Sequence, residues 1–352
     1  MKCAQTTCMW AGLVMLVACG HARGPVPEDP TAEEPERETA ALDTPDPACA
    51  EAIVCEGEYE SYGATVSGIS VTSAEQLAEL RQCRSIHGDL VFFEQDWITG
   101  IDLPCLTEVG GDLVIEWNTV LTSLEGLRGI TQVGGGLLIR QNSALSSLEG
   151  LRGITQVGFL LIRRNPALTS LEGLQGITQV GGDLTIFHNA VLTSLEGLRG
   201  ITQVGGDLAL FHNAVLTSLE GLRGVTQVKG GLLIRENLVL TNLEGLQGIT
   251  QIGRILAIFE NPVLTSLEGL QGITQIGGDL FIRVNPALTS LEGLQGITEV
   301  EGDLRIRANT GLPILEDFQS FRSYLDLEEL QSVLEANCEV QRCGGRRRSN
   351  AR

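Results

Sequence analysis

A repeat of 24 residues governs most of this sequence. The leucine of the recurring Gly-Asp-Leu segment returns at steps of 24 residues, and at a step of 23 in two places. These reference leucines are Leu90, Leu113, Leu137, Leu160, Leu184, Leu208, Leu232, Leu256, Leu280 and Leu304. One short step is the first, and the other occurs where "VGFL" at 157–160 is one residue shorter than "VGGDL". Such a period is typical of solenoids.

Each unit carries apolar positions that recur in the later units. In the segment "LTSLEGLRGITQVGGGLLIRQN" they are Leu121, Leu124, Leu127, Ile130, Val133, Leu137 and Ile139. One unit cannot bury this set alone, but stacked units bury it between them. Each inward side chain then contributes about 1.5–3 kcal/mol before the loss of chain entropy is subtracted. We therefore expect about ten flat coils of 23–24 residues over residues 83–315.

The local pattern within a unit favours short strands. Leu137 and Ile139 alternate with other residues as in a strand, and stacked strands form a parallel ladder. The preceding glycines suit a tight corner. The segment "SLEGLxGITxV" is too rich in glycine for a long helix, so we expect short strand or 3-10 structure there. The fold class predicted is mainly β, a parallel β-solenoid.

An asparagine lies five residues after nine of the reference leucines. The nine are Asn118, Asn142, Asn165, Asn189, Asn213, Asn237, Asn261, Asn285 and Asn309. The preference of asparagine for turns explains one such residue but not nine in register. We expect a ladder of inward side chains that bind the backbone of the corner and of the adjacent coil.

The combined pattern Leu-x-Ile-x-x-Asn-x-x-Leu resembles the core of leucine-rich repeats. Its spacing is more similar to that of the receptor L domain, the fold of the ligand-binding lobes of insulin and epidermal-growth-factor receptors. The opening "CRSIHGDLVFF" at 83–93 resembles the start of such domains, and the likeness extends over about residues 80–315. It implies a right-handed parallel β-helix with strands on each side of a flat coil. No ligand-contact motif of that family occurs here, so the resemblance implies no binding residues.

The two ends of the repeat block differ from its interior, as solenoid caps do. Residues 49–82 are predicted to form an N-terminal cap containing a short helix in "TSAEQLAELRQC". Residues 316–343 are predicted to form a helical C-terminal cap, with "LDLEELQSVLEANC" lying over the last coil. Residues 344–352 are basic and are expected to be disordered.

The N-terminus has the features of an export signal. Lys2 precedes an apolar run at 9–18 that is too short to span a bilayer. The following Leu-Val-Ala-Cys at 16–19 resembles the lipobox of bacterial lipoproteins. That resemblance implies removal of residues 1–18 and lipidation of Cys19 by a diacylglycerol and an acyl chain such as palmitate, which together anchor stably. The alternative is an ordinary signal peptide with a coincidental cysteine.

The segment after Cys19 is expected to be a tether. Residues 20–48 contain six of the eleven prolines and eight acidic residues, a composition that cannot bury a core. Residues 19–48 would lift the folded part off the membrane. Gly20 follows the lipidated cysteine, which favours the outer membrane under the usual sorting rule. The predicted location is therefore the cell envelope, with the lipid as the membrane contact.

Six cysteines remain beyond Cys19, and an even number in an exported protein suggests disulfides. They are Cys49, Cys55, Cys83, Cys105, Cys338 and Cys343. Cys83 and Cys105 are separated by about one repeat, so we expect them to pair on neighbouring coils. The pairs 49–55 and 338–343 would then clamp the two caps. A zinc site is the alternative, but the spacing is unsuited to it, and we predict no metal.

An exposed column three residues after the reference leucine is rich in arginine and phenylalanine, which are enriched at binding hot spots. Its predicted ligand-contacting members are Arg140, Arg163, Phe187, Phe211, Arg235, Phe259, Arg283 and Arg307, with Trp117, His188 and His212 from the next column. We expect this strand face to bind an unidentified protein or an acidic glycan. The alternative is that duplication has multiplied residues that merely suit a strand surface.

Charge and motifs narrow the function class. The formal net charge of −20 excludes nucleic acid as a partner. No acid–base or nucleophile constellation and no phosphate-binding loop is evident, so we expect neither catalysis nor a cofactor. The sequence predicts a non-enzymatic cell-envelope lipoprotein for recognition or adhesion. The alternatives are a structural spacer of the envelope or, less favoured, a β-helix enzyme that degrades polysaccharides.

Overall fold

The computed structural model describes residues 49–61 and 64–312 of the 352-residue chain. The predictions for the signal peptide, Cys19, the tether, the C-terminal cap with Cys338 and Cys343, and the basic tail lie outside the described residues. Within the described part, no helix is both long enough and apolar enough to cross a membrane.

The described residues fold into a parallel β-solenoid made mainly of strands, which confirms the predicted fold class. Its main feature is a sheet of twelve strands, here called the long sheet. In order, the strands are β2 (Glu58–Ser61), β3 (Ala64–Val71), β5 (Asp89–Phe93), β8 (Leu113–Glu116), β11 (Leu137–Arg140), β13 (Leu160–Arg163), β15 (Leu184–Phe187), β17 (Leu208–Phe211), β19 (Leu232–Arg235), β21 (Leu256–Phe259), β23 (Leu280–Arg283) and β25 (Leu304–Arg307). From β8 onwards each strand begins at a reference leucine.

A second side of the solenoid is built from shorter strands in two separate sheets. The first has four strands: β1 (Ile53–Cys55), β4 (Cys83–Ile86), β7 (Glu108–Val109) and β10 (Gln132–Val133). The second has seven: β12 (Gln156–Val157), β14 (Gln179–Val180), β16 (Gln203–Val204), β18 (Gln227–Val228), β20 (Gln251–Ile252), β22 (Gln275–Ile276) and β24 (Glu299–Val300). The two sheets meet between β10 and β12, where no strand pairing joins them.

The third side of each coil contains no long helix, as the glycine-rich segment predicts. A small sheet pairs β6 (Gly100–Asp102) with β9 (Ser123–Gly126). Further along, single 3-10 turns occupy the equivalent segment at Glu149–Leu151, Glu172–Leu174, Glu196–Leu198 and Glu220–Leu222. The glycine in this segment packs directly on the preceding coil. A Cβ atom on Gly150 would lie 1.6 Å from the carbonyl oxygen of Leu124.

The interior is a continuous stack of aliphatic side chains. Equivalent residues pair in register along the long sheet, so that Leu137 faces Leu160 and Ile139 faces Ile162. All seven predicted columns are buried in the unit where we identified them, from Leu121 through Ile139. This stacking confirms that the period reflects burial of one coil against the next.

The nine asparagines form the predicted ladder and are all buried. The Asn213 side-chain nitrogen donates to the carbonyl of Ile186, in the preceding coil, at 2.9 Å. The Asn213 side-chain oxygen accepts from the backbone N–H of Asn189 at 3.2 Å. The same two bonds recur along the stack, for example from Asn142 to Ile115 and to the amide of Asn118. Each asparagine therefore satisfies two buried backbone groups that the corner would otherwise leave unpaired.

The N-terminal segment closes the long sheet at one end. Strand β3 pairs with β5 in parallel and brings Ile69 opposite Leu90, so the stack begins before the repeats are recognisable. Strand β2 pairs with β3 antiparallel and covers the edge that a regular coil would leave open. The predicted helix is present as α1 (Ala74–Glu79), with Ser73 as its N-cap. Its cap bond runs from the backbone N–H of Gln76 to the hydroxyl of Ser73.

The disulfides expected between Cys83 and Cys105 and between Cys49 and Cys55 are wrong. The structure joins Cys49 to Cys105 and Cys55 to Cys83, with Cα–Cα distances of 5.2 and 5.7 Å. The reason is a one-residue offset, since Cys83 lies seven residues before its reference leucine and Cys105 lies eight before its own. It is Leu106 that occupies the inward position equivalent to Cys83. Both bonds therefore tie the N-terminal segment to the first coils.

We predict that Asn213→Ala destabilises the solenoid by about 2–4 kcal/mol, because it leaves the Ile186 carbonyl and the Asn189 amide buried and unpaired. Urea unfolding followed by circular dichroism, with hydrogen exchange of the Asn189 amide, measures the effect. Gln227→Ala, an exposed change in the same coil, is the matched control and should alter stability little. An equal effect of the two substitutions would contradict a supporting role for the ladder.

Candidate functional site

The candidate site is the outer face of the long sheet. Side chains alternate across a strand, so the residues one and three positions after each reference leucine point away from the core. The position three residues after is the Arg/Phe column, which runs Glu116, Arg140, Arg163, Phe187, Phe211, Arg235, Phe259, Arg283 and Arg307. Strand pairing sets Arg163 beside Phe187 and Phe187 beside Phe211. Most members are half-buried, and Arg307 at the end of the column is exposed.

Three of the five arginines of this column are stacked on a ring or paired with a carboxylate. Arg140 forms an ion pair with Glu116 in the preceding coil. The Arg163 guanidinium lies 5.3 Å from the centre of the Phe187 ring, and Arg235 lies 5.1 Å from that of Phe259. Such cation–π contacts hold the guanidinium flat against the sheet. The first three arginines of the column are therefore held by neighbouring side chains, whereas Arg283 and Arg307 lie side by side on paired strands.

The centre of the face is aromatic. The rings of Phe187 and Phe211 are tilted, with centroids 6.5 Å apart. Beside them the imidazoles of His188 and His212 are stacked at 4.3 Å with an interplanar angle of 7°. The His212 Nδ1 atom lies 2.8 Å from a carboxylate oxygen of Glu236. We call these four rings the aromatic centre. It brings together four of the residues predicted from the sequence.

The histidines belong to a second column with an unusual backbone conformation. The residue four positions after each reference leucine has a left-handed φ of 50–61°, and none of these residues is glycine. The column, here called the rim column, consists of Glu94, Trp117, Gln141, Arg164, His188, His212, Glu236, Glu260, Val284 and Ala308. This conformation is unfavourable by about 1–2 kcal/mol for residues with a Cβ atom. The corner before the buried asparagine requires it in every coil.

The structure adds apolar residues that sequence reasoning missed. The column one residue after the reference leucine contributes Leu138, Leu161, Leu233, Ala257 and Phe281 to the same face. Phe159 stands where most coils have aspartate, and its ring covers Gly136 so closely that a Cβ atom there would lie 2.2 Å from it. Ile255 covers Gly231 in the same way. In both cases the sequence departs from the repeat in two successive coils. A glycine replaces the usual aspartate in one coil, and a bulky residue replaces it in the next.

Most ion pairs on the third side of the described coils are local, although Asp102 in β6 pairs with Arg81 at 3.0 Å. The glutamate at the start of each 3-10 turn forms an ion pair with the arginine three residues later where one is present, as in Glu149–Arg152 and Glu196–Arg199. Nowhere in 49–61 or 64–312 does a group of three or more His, Cys, Asp or Glu side chains come together that could hold a metal ion.

Comparison with known proteins gives a likeness in solved structures only. No family model and no curated protein matches the chain. The chain is similar to the crystal structure of an internalin from Listeria monocytogenes, with 14% sequence identity and a TM-score of 0.44. The match covers 75% of this chain and 74% of the internalin. It carries no argument about the ligand.

The environment of the aromatic centre disfavours a positive charge on His188. Partial burial is the largest cause that lowers the pKa of His188, followed by the neighbouring His212 and then Arg164. The neutral imidazole is thus favoured in the folded state. Its contribution to stability is complete above the ordinary histidine pKa of about 6.5 and is lost as the pH falls through the lower folded-state value.

We predict that nuclear magnetic resonance titration of the His188 ring gives a midpoint below the ordinary value of about 6.5. His212→Gln should raise this midpoint part of the way, since it removes one repulsive neighbour and leaves the burial. Arg223→Gln, an exposed change on the third side, should leave it unchanged. A midpoint at or above the ordinary value would contradict the described environment.

Proposed function

We propose that this chain is a non-enzymatic recognition module of the bacterial cell envelope that binds a protein through the outer face of the long sheet. The aromatic centre is the observation that carries the proposal. Phe187, Phe211 and the two histidines form a rigid, half-exposed cluster in the middle of a flat face. Aromatic side chains in such settings are the usual centres of protein interfaces, because they bury a large area at a small entropy loss.

The charge distribution favours a protein over an acidic glycan. Arg140 is paired with Glu116, and Arg235 contacts both Glu236 and Glu260. A polyanion would gain most from a continuous unpaired row of cations, which this column does not form. A face that combines apolar side chains, stacked arginines and paired charges is complementary to a mixed protein surface.

The rim column supports the same proposal. Glycine would adopt its left-handed conformation without strain, yet this position carries histidine at the centre of the face and arginine in the adjacent coil. Residues that keep a strained conformation are concentrated at functional sites. Duplication alone spreads one residue along a column, whereas the ten positions of the rim column carry seven different residue types. The side chains there are therefore proposed to contact the partner.

The lipid anchor on Cys19 is proposed from the sequence alone, and with it the envelope location. We predict that the wild-type chain is labelled by a radioactive palmitate precursor and sediments with membranes. Cys19→Ser should be neither labelled nor membrane-bound, while Cys8→Ser should behave as the wild type because that residue lies within the removed signal. Sedimentation of the Cys19→Ser chain with detergent-soluble membrane would contradict lipid anchoring.

The released Cys19→Ser chain provides the probe for the recognition face. We predict saturable binding to isolated native envelopes, weakened about tenfold or more by Phe187→Ser with Phe211→Ser, since truncating interface anchors typically has effects of this size. Val191→Ser with Val215→Ser is the matched control, because these exposed valines lie in the same two coils but beyond the asparagine corner. Equal binding by all three proteins would exclude this face and favour the structural spacer.

Two further arms identify the chemistry of the partner. Protease treatment of the envelopes should abolish binding, and periodate oxidation of their glycans should not. Replacement of Arg140, Arg163, Arg235 and Arg283 together by Ser tests for an acidic glycan, because the binding of a polyanion would depend on these cations. Binding that survives the phenylalanine changes but is lost in this variant and in high salt would overturn the protein partner in favour of a polyanion.

A further inference from the structure

The one-residue deletion at 157–160 breaks the backbone register of the short-strand side. In regular coils the amide after the buried valine bonds to the previous valine carbonyl, as Gly134 bonds to Val109 and Gly181 to Val157. The Gly158 amide instead bonds to the carbonyl of Gly135 at 2.6 Å. The amide that would satisfy the Val133 carbonyl is therefore used elsewhere. We call this break between β10 and β12 the seam.

The threonine ladder is interrupted at the same place. From Thr131 to Thr298, the hydroxyl of each repeat threonine donates to the carbonyl of the threonine one coil earlier, as in Thr178 to Thr155 at 3.3 Å. Thr155 is the exception among the described threonines of this column, because its hydroxyl makes no such bond across the seam, although its backbone amide still donates to the Thr131 carbonyl at 3.3 Å. The deletion thus removes two coil-to-coil hydrogen bonds from this side, the one to the Val133 carbonyl and the one from the Thr155 hydroxyl.

A groove of about 680 Å³ crosses the seam. It extends along six coils, from Glu108 at one end to Lys229 at the other. Its walls carry the exposed side chains Gln132, Gln156, Gln179 and Gln203, and the backbone of Val133, Val157 and the corner glycines lines it. We call it the amide groove. The corner glycines that line the groove form what we call the glycine column. Lys229 occupies the equivalent position in its own coil, and the groove ends there.

The glutamines of the amide groove are free to bind a ligand. Beyond the groove, the side chain of Gln251 donates to Gln275 at 3.0 Å, and Gln275 donates to Glu299 at 3.0 Å. Within the described residues, the four glutamines of the groove make no such bond to each other or to a neighbour. Each therefore presents two donors and one acceptor oxygen to the groove. Among the described coils, the column is thus linked by side-chain bonds only from Gln251 to Glu299, and the glutamines that line the groove are unlinked.

We propose that the amide groove binds a neutral glycan chain. Sugar hydroxyls both donate and accept hydrogen bonds, which matches free amide side chains and the Val133 carbonyl. The glycine column lets a chain approach the backbone closely. This site lies on a different side of the coil from the proposed protein-binding face and is independent of it.

The lining disfavours other occupants. Among its described residues only Glu108 and Lys229 are charged, and they lie at opposite ends, so an acidic polymer gains little along the length. The lining contains no aromatic side chain and no exposed aliphatic one, so an extended peptide would find no pockets for its side chains.

The experiment uses the full Cys19→Ser chain and isothermal titration with maltohexaose, cellohexaose and chitohexaose. Hexagalacturonate is the acidic comparator, and an uncharged serine- and alanine-rich heptapeptide is the peptide comparator. We expect saturable binding of at least one neutral oligosaccharide and none of the comparators. Binding of a comparator alone, or of no ligand in the panel, would overturn the proposal.

Substitutions then locate the binding. Gln156→Met with Gln179→Met removes two amides at constant length and should weaken binding roughly tenfold, the size expected for two neutral hydrogen bonds. Gln251→Met with Gln275→Met makes the same change outside the groove and should have no effect. Equal affinities for both variants would overturn this site. The phenylalanine variants of the long sheet should bind the oligosaccharide normally, so failure of one proposal does not imply failure of the other.

Restoring the missing residue tests the seam itself. Insertion of one glycine after Gly158 returns the coil to 24 residues and lets the amide at that corner bond to Val133. The inserted protein should keep the circular dichroism of the parent and lose oligosaccharide binding. Unchanged binding by the folded insertion variant would show that the seam does not create the site.

Discussion

The buried asparagine at the corner of each coil is the interaction on which the rest depends. Stacked aliphatic columns supply most of the stabilisation, but they are non-directional and would tolerate coils that slide or rotate. The asparagine side chain binds a carbonyl and an amide of the preceding coil at fixed positions, as in Asn213 with Ile186 and Asn189. Because both backbone groups are buried, a slip of one residue would leave them unpaired. The ladder therefore sets the register that aligns every surface column.

That register explains both candidate sites. The corner before each asparagine forces the rim column into a left-handed backbone, which presents His188 and His212 as a parallel stack beside Phe187 and Phe211. On the opposite side of the corner glycines, one missing residue cannot be absorbed by a shift of the whole coil, because the asparagines hold it. The change in hydrogen bonding is confined to the short-strand side, where the Gly158 amide bonds to the Gly135 carbonyl. The asparagine ladder thus keeps the effect of the deletion local, at the amide groove.

Much of this fold could be predicted, because the same pattern recurs in every unit. Each unit therefore gives separate support for the same interpretation. Nine asparagines in register and seven apolar columns leave few alternatives to stacked coils, and the structure places them as expected. Features that occur once were harder to predict. The β2–β3 hairpin has no repeat signature, and the disulfides depended on a one-residue offset between Cys83 and Cys105 that the approximate spacing concealed. The sequence also showed the column of arginines but not that Glu116 and Phe187 would neutralise or stack against two of them.

Each asparagine contacts only the coils immediately next to its own, and this locality has a consequence for how such a chain changes over generations. Loss or gain of one complete unit by unequal recombination rejoins equivalent partners, so the protein can lengthen or shorten in discrete increments without refolding any neighbour. The coil at 137–160 is the exception, because within the interior of the repeat block it alone is one residue shorter than the others. Related chains that gain or lose units elsewhere would differ in the length of the solenoid but would keep this one shorter coil.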